Sequence, residues 1–229
     1  MERWEGLRLR AVRKKDGRGP WAPPLLGSYL ERALGDLVGG DVAVAVEPAP
    51  ADPAGGGEPA GPGTPDGIRR RRARTALAAG RAAGGPVEAT YRPDGRPELG
   101  DGRSLSAAHA EDLTLCVVGT GPLACDVEAV HAREESVWHG LLGAHVDLAR
   151  LCCADGGESL DAAATRVWAA IECLRKAGLS HRAPLVVVPS ERAGWLVFAS
   201  GDLRVATLVT TLRDVPRPMA FAILTEGRA

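Results

Sequence analysis

From residue 48 to residue 66 the chain reads PAPADPAGGGEPAGPGTPD, without one branched aliphatic or aromatic side chain. Such a stretch has no apolar surface to bury, so nothing offsets the entropy of ordering it, and it is expected to form a disordered loop. Any fold open to this chain must therefore be assembled from the segments on either side. Those segments must build an aliphatic core, because 45% of residues are hydrophobic but only 4% are aromatic.

The flanking segments alternate between two periodicities. Residues 25–37 (LLGSYLERALGDL) repeat as a short amphipathic helix stopped by Gly39-Gly40. Asp41 to Glu47 (DVAVAVE) alternates as a strand with its valines on one face. A helix is expected over Ile68–Gly84, with Asp66 at its start, and a strand over Val87–Tyr91 before a Pro93-Asp94-Gly95 turn. Strand patterns follow at Ser104–Ala108, Leu113–Val118 and Leu123–Val130. Residues 134–153 are expected to be helical. A long helix is expected over Asp161–Ala177, capped by Asp161 and closed by Gly178. The C-terminal part reads as strands at Leu185–Val188, Gly194–Ala199, Leu203–Thr211 and Met219–Leu224. The sum is an α+β chain in which two α+β halves of similar size are plausible.

Charge and cysteine usage narrow the function. A formal net charge of −1 argues for neither nucleic acid nor an anionic membrane as partner. No apolar run approaches the roughly 18 residues of a membrane span, and the charged start MERWEGLRLR is unlike a secretory signal. The five cysteines (Cys116, Cys125, Cys152, Cys153 and Cys173) match neither a disulfide framework nor a zinc site, so reduced thiols and a cytoplasmic location are expected.

Three groups of residues carry chemistry. In Cys125-Asp126-Val127-Glu128 the two acids stand at i and i+2, which puts both carboxylates on one face of an otherwise apolar strand. Like charges so placed repel, and a hard divalent cation such as Mg²⁺ would suit them. In the long helix, Trp168, Glu172 and Lys176 stand at i, i+4 and i+8 and form one stripe of aromatic, acid and base. Glu172 is thereby a third possible metal ligand and Lys176 a possible phosphate contact. Upstream lie Arg70 and Arg74 one turn apart, Arg81 near the same face, Arg96 in a Gly-Arg-Pro turn, and His109 ending SLSAAH. Arginine suits bidentate contacts to phosphate. Taken singly, each group also has an ordinary explanation: solvated acids at a strand end, a Glu–Lys surface pair, or a solvated arginine face.

Together and in this order, the motifs resemble the 4′-phosphopantetheinyl transferase family, the larger two-lobed type. The matching segments are Arg70–Arg81, Gly95-Arg96-Pro97, Ser104–His109, Cys125–Glu128 and Trp168–Lys176, within residues 67–180. A closer likeness is to the C-terminal transferase domain of iterative enediyne polyketide synthases. It is carried by Ala107-Ala108-His109, Ala124–Glu128 and Ile171-Glu172-Cys173-Leu174, with Arg3–Val12 similar to the tail of a preceding dehydratase domain. The chain departs from the family at Ile171, where a lysine is usual, at Cys173 for alanine, and by one extra residue in the serine–histidine motif.

The resemblance implies two similar lobes, each a small antiparallel sheet on a long helix. Residues 1–40 would be linker and remnant, residues 41–229 the transferase, and the lobes roughly 41–133 and 134–229. It implies a holo-[acyl-carrier-protein] synthase that moves 4′-phosphopantetheine from coenzyme A to a carrier-protein serine. Mg²⁺ would be held by Asp126, Glu128 and Glu172. Lys176 would contact the pyrophosphate, Glu172, directly or through a metal-bound water, would help take the serine proton, and Arg74 (or Arg70 or Arg71 in its place), Arg96 and His109 would hold the adenosine 3′-phosphate and neighbouring phosphates. Other domains of a polyketide synthase would be partners. A degenerate coenzyme A-binding module, or a structural docking domain, is the alternative.

Overall fold

Strand alternation and helix periodicity both become structure in the computed structural model, which describes residues 21–38, 41–48, 63–110, 113–190 and 192–227. The order is α1 (Pro23–Leu37), β1 (Val42–Pro48), α2 (Pro65–Ala82), β2 (Ala89–Tyr91), β3 (Pro97–Leu99), β4 (Ser104–Ala110), β5 (Leu113–Gly119) and β6 (Leu123–Ala129). Then come α3 (Glu135–Leu142), a 3₁₀ turn (Gly143–His145), α4 (Val146–Gly156) and α5 (Leu160–Lys176). Last come β7 (Val186–Val188), β8 (Trp195–Ser200), β9 (Leu203–Thr210) and β10 (Met219–Glu226). The protein is α+β, with small antiparallel sheets and few helices.

Two sheets organise the molecule. One has three strands in the order β1-β5-β4; the other has five in the order β6-β10-β9-β8-β7; β2 and β3 form a separate hairpin. The main pairings are antiparallel, with Ala45 opposite Cys116 and Asp126 opposite Ala222. Alternation divides each strand between two cores. Val42, Val44, Val46, Leu115 and Val117 of the first sheet share the central core with Cys125, Val127, Phe221 and Ile223 of the second. On its other face the first sheet packs Ala45, Cys116 and Val118 against Ala78 and Ala79 of α2. The second sheet packs Ala124, Phe198, Val205 and Ala222 against α5, with α3 and α4 behind.

The sheets are joined beside β6. Ser106 Oγ on β4 accepts from the Cys125 amide at 3.0 Å, and the Cys125 thiol donates to the Ser106 carbonyl at 3.3 Å. All five cysteines are free, and four of them are buried. Among the described residues no helix is long and apolar enough to cross a membrane.

Several boundaries differ from the sequence expectation. The expected remnant at 1–40 is in part integral: Leu26, Leu30, Ala33 and Leu34 of α1 are fully buried in the central core. Gly27 lets that helix approach β1, since a Cβ there would lie 3.1 Å from the Val44 carbonyl oxygen. Residues 1–20, with the dehydratase-like Arg3–Val12, lie outside the described residues, as do Gly39-Gly40. The expected loop 48–66 is shorter at both ends. Pro48 completes β1, and Thr64 caps α2 by accepting from the Gly67 amide at 3.1 Å; residues 49–62 lie outside the described set. Ser159 rather than Asp161 caps α5, accepting from the Ala162 amide at 3.2 Å. Asp161 accepts instead from the Trp138 indole at 2.8 Å and the Arg133 amide at 3.1 Å. The run 134–153 is two helices broken at Gly143, whose φ of 54° is left-handed. Strand β3 was not anticipated.

Candidate functional site

Strand β6 and helix α5 build the acidic half of the site. Along β6, Cys125, Val127 and Ala129 enter the central core, so Ala124, Asp126 and Glu128 must face α5. Helix α5 comes close because its inner face is rich in small residues, including Ala163, Ala164, Ala169 and Ala170, all fully buried. Trp168, Glu172 and Lys176 border that face, partly exposed. The helix stripe and the strand pair meet end to end. Lys176 pairs with Asp126, its Nζ 2.8 Å from Oδ1, and Glu128 takes a side-chain hydrogen bond from Trp168. Glu172 stands between the two ends along the helix, paired with Arg175 at 2.6 Å.

The electrostatics follow from burial. Asp126 is 6% exposed, and burial pushes its pKa from 3.8 up to about 6. The ammonium of Lys176 pulls it back, while the charges of Glu128 and Glu172 push it further up. Glu128 is also raised, first by burial, against the hydrogen bond from Trp168 and the charge of Lys176. Burial disfavours the Lys176 ammonium most, but the charge and hydrogen bond of Asp126 together with the nearby Cys125 and Cys173 leave the lysine above its ordinary value. Lys176 Nζ also donates to the Cys125 carbonyl at 2.8 Å.

These residues fit a hard divalent cation. Glu128 and Glu172 are close enough to shift Asp126, all three acids offer oxygen, and Oδ2 of Asp126 is buried without a hydrogen-bond partner. As the side chains stand, no group of three or more His, Cys, Asp or Glu among the described residues closes around one point. Lys176 and Arg175 supply the positive charge at Asp126 and Glu172.

The basic half divides into two places. Arg96 and Lys176 line one cleft of about 590 Å³, together with Arg92, Arg103, Ser104 and Ser106. Arg96 sits in the turn before β3 and reaches the Arg175 carbonyl at the end of α5, at 3.5 Å. Arg92 and Arg103 were missed by sequence reasoning, while Ser106 falls within the matched segment Ser104–His109; only the β2–β3 hairpin and the turn after it bring the two arginines into the cleft.

Arg74 and His109 meet elsewhere, between α2 and the first sheet. Thr114 Oγ1 lies 3.0 Å from Arg74 Nε and 3.0 Å from His109 Nδ1, while His109 Nε2 lies 3.1 Å from Thr75 Oγ1. Burial, then the charges of Arg74, Arg71 and Lys176, drive the His109 pKa from 6.5 down to about 4, so the ring is neutral at physiological pH. Arg74 and Arg71 are the arginines of the run whose charges reach His109. As both ring nitrogens are engaged by threonines, His109 ties α2 to β4 and β5. Ile171 is 2% exposed in the core beneath α5.

Comparison with known proteins adds no family to this geometry: no family model matches the chain, and no curated protein matches it.

Proposed function

We propose that the chain is a 4′-phosphopantetheinyl transferase of the two-lobed type, most similar to the transferase domain of iterative enediyne polyketide synthases. It would convert an apo acyl carrier protein to its holo form. The observation that carries the reading is the meeting of Asp126 and Glu128 on β6 with Trp168, Glu172 and Lys176 on α5, beside a cleft lined by arginines. The two sheets, one with α2 and one with α5 on its outer face, are what two lobes would require.

In this reading the serine oxygen of the carrier attacks the phosphorus that bears pantetheine, and the bond to 3′,5′-ADP breaks. Asp126, Glu128 and Glu172 would hold Mg²⁺, which when bound neutralises charge on the phosphoryl group and the leaving group. Glu172 takes the serine proton. An ammonium has three donors, and Lys176 uses two on Asp126 and Cys125, so one remains for the pyrophosphate from its place in the cleft wall. Arg96 binds phosphate directly. Arg74 and His109, held between α2 and the first sheet, do not line that cleft, so phosphate contact by them would need a second place on the molecule.

The alternative is a module that holds coenzyme A without chemistry, or a docking domain. Ile171, apolar and buried where the family has lysine, favours it. Intact-mass analysis of an apo carrier protein incubated with the chain, coenzyme A and Mg²⁺ separates the readings. A gain of one phosphopantetheine that EDTA abolishes supports the transferase. An unmodified cognate carrier, with coenzyme A still bound, supports the module. Asp126→Ala is expected to abolish the mass gain while leaving the circular dichroism spectrum unchanged; full activity in that variant removes Asp126 from the metal site.

A further inference from the structure

We infer that Lys176 is a positioning residue for the divalent cation: it fixes Asp126 through Oδ1, so that Oδ2 is the oxygen presented to the ion. This rests on the transferase reading and differs from the role in phosphate contact that the resemblance implies. The Lys176 ammonium donates to the Cys125 carbonyl and to Asp126 Oδ1, both at 2.8 Å. Those acceptors belong to consecutive residues of one strand, one backbone and one side chain. A single donor group bridging them restrains how the Asp126 carboxylate turns about its own strand. The lysine is itself restrained, because it is the last residue of α5 and the helix is closed by Gly178 at φ 91°. The oxygen left over, Asp126 Oδ2, is buried and has no hydrogen-bond partner, an arrangement that folded proteins rarely leave without a ligand.

Charge is consistent with this division. Three carboxylates are balanced by one ammonium and one divalent ion. Arg175 on Glu172 is 55% exposed and can turn away into water, and Arg133 acts on Glu128 more weakly than Lys176 does. An ordinary Coulomb argument gives the opposite sign for the role of Lys176. If the ammonium only competed with the ion for Asp126, removing it would tighten metal binding. If it orients the carboxylate, removing it weakens binding despite the loss of a repelling charge. Residues that orient metal ligands typically affect affinity by about 10- to 100-fold.

The test is titration of the full chain with Mn²⁺ in the presence of coenzyme A, followed by electron paramagnetic resonance. Wild type, Lys176→Met and Lys176→Gln are compared, with circular dichroism as the folding control. K176M is expected to bind Mn²⁺ about 10- to 100-fold more weakly. K176Q, whose shorter, uncharged amide keeps two N–H donors, is expected to fall between K176M and wild type; a merely structural or purely electrostatic role would not give that order. Binding by K176M as tight as wild type, or tighter, overturns the proposal. Should K176M not fold, K176Q decides: weaker than wild type supports positioning, equal or tighter overturns it. A wild-type chain that takes up no Mn²⁺ removes the metal site and the transferase reading along with the proposal, whereas wild-type binding that is indifferent to position 176 sinks the positioning role alone.

Discussion

Two residues of the site, Asp126 and His109, are shifted in opposite directions by the same cause. Burial raises Asp126 from 3.8 to about 6 and lowers His109 from 6.5 to about 4. Between about pH 4 and 6 the folded chain holds a proton on Asp126 that the unfolded chain has released. Over the same range the unfolded chain holds a proton on His109 that the folded chain lacks. The Asp126 contribution is lost as pH rises through that window, and the His109 contribution is lost as pH falls through it, so the two nearly cancel. Separating them should expose each slope. His109→Gln is expected to lose stability from pH 4 to 6 relative to wild type, by at most about 1.4 kcal/mol per pH unit, and Asp126→Asn to gain it over the same range. Urea unfolding at the two ends of the window measures both; wild-type slopes in both variants would show that neither group is shifted. The acids were legible in the sequence because period-two alternation alone puts Asp126 and Glu128 on one face. The state of His109 was not, because it depends on Thr75 and Arg74, which are far away along the chain and near only through the packing of α2 on the sheet.

Local pattern fixed which segments became helix or strand better than it fixed what the ends of those elements do. Both long helices follow from the periodicity, but the expected cap of α5 at Asp161 and the expected start of α2 at Asp66 each lie two residues inside the true cap. Thr64 and Ser159 hold those places, and Asp161 is used for Trp138 and Arg133 instead. Strand β3 escaped notice because it has three residues and begins at a proline, and hairpin pairing with β2 is what makes it a strand. Helix α5 shows a stabilising device that no motif announces. Arg166 is 4% exposed and donates to both Glu158 oxygens, to the Thr207 carbonyl at 2.8 Å, and to the Gly194 carbonyl at 3.4 Å. It thereby pins the helix to β9 and to the turn before β8. Arg166→Met is expected to cost about 3–5 kcal/mol, because it leaves a carboxylate poorly exposed and without its cation. Replacing Glu158 with leucine in the same chain should recover much of that loss. Chemical denaturation of the single and double variants measures both. A loss under about 1 kcal/mol in R166M would mean that water replaces the arginine freely.

Across the whole molecule, the site depends on how two sheets are held together, and α1 is part of that joint. A boundary at residue 41 reads naturally from the sequence, since prolines and glycines flank the preceding helix and the resemblance begins beyond it. Packing contradicts it. Leu26, Leu30, Ala33 and Leu34 are fully buried among valines of β1 and residues of the second sheet, and Val44 donates its amide to Glu31 Oε2 at 3.2 Å. Trp21 pairs with Leu212 beyond β9 and stacks on Tyr29, whose hydroxyl accepts from the Trp195 indole at 3.2 Å. A chain beginning at residue 41 would therefore open the central core on the side that faces both sheets, and the Ser106–Cys125 junction beside Asp126 would lose the packing that backs it. Such a chain is expected to lack the cooperative thermal transition of the full chain. Leu30→Ala in the full chain tests the same point more gently, with an expected loss of about 2–5 kcal/mol. A chain from residue 41 that unfolds cooperatively, and binds coenzyme A as the full chain does, would return α1 to the status of a linker and show that β1 and its neighbours close the core alone.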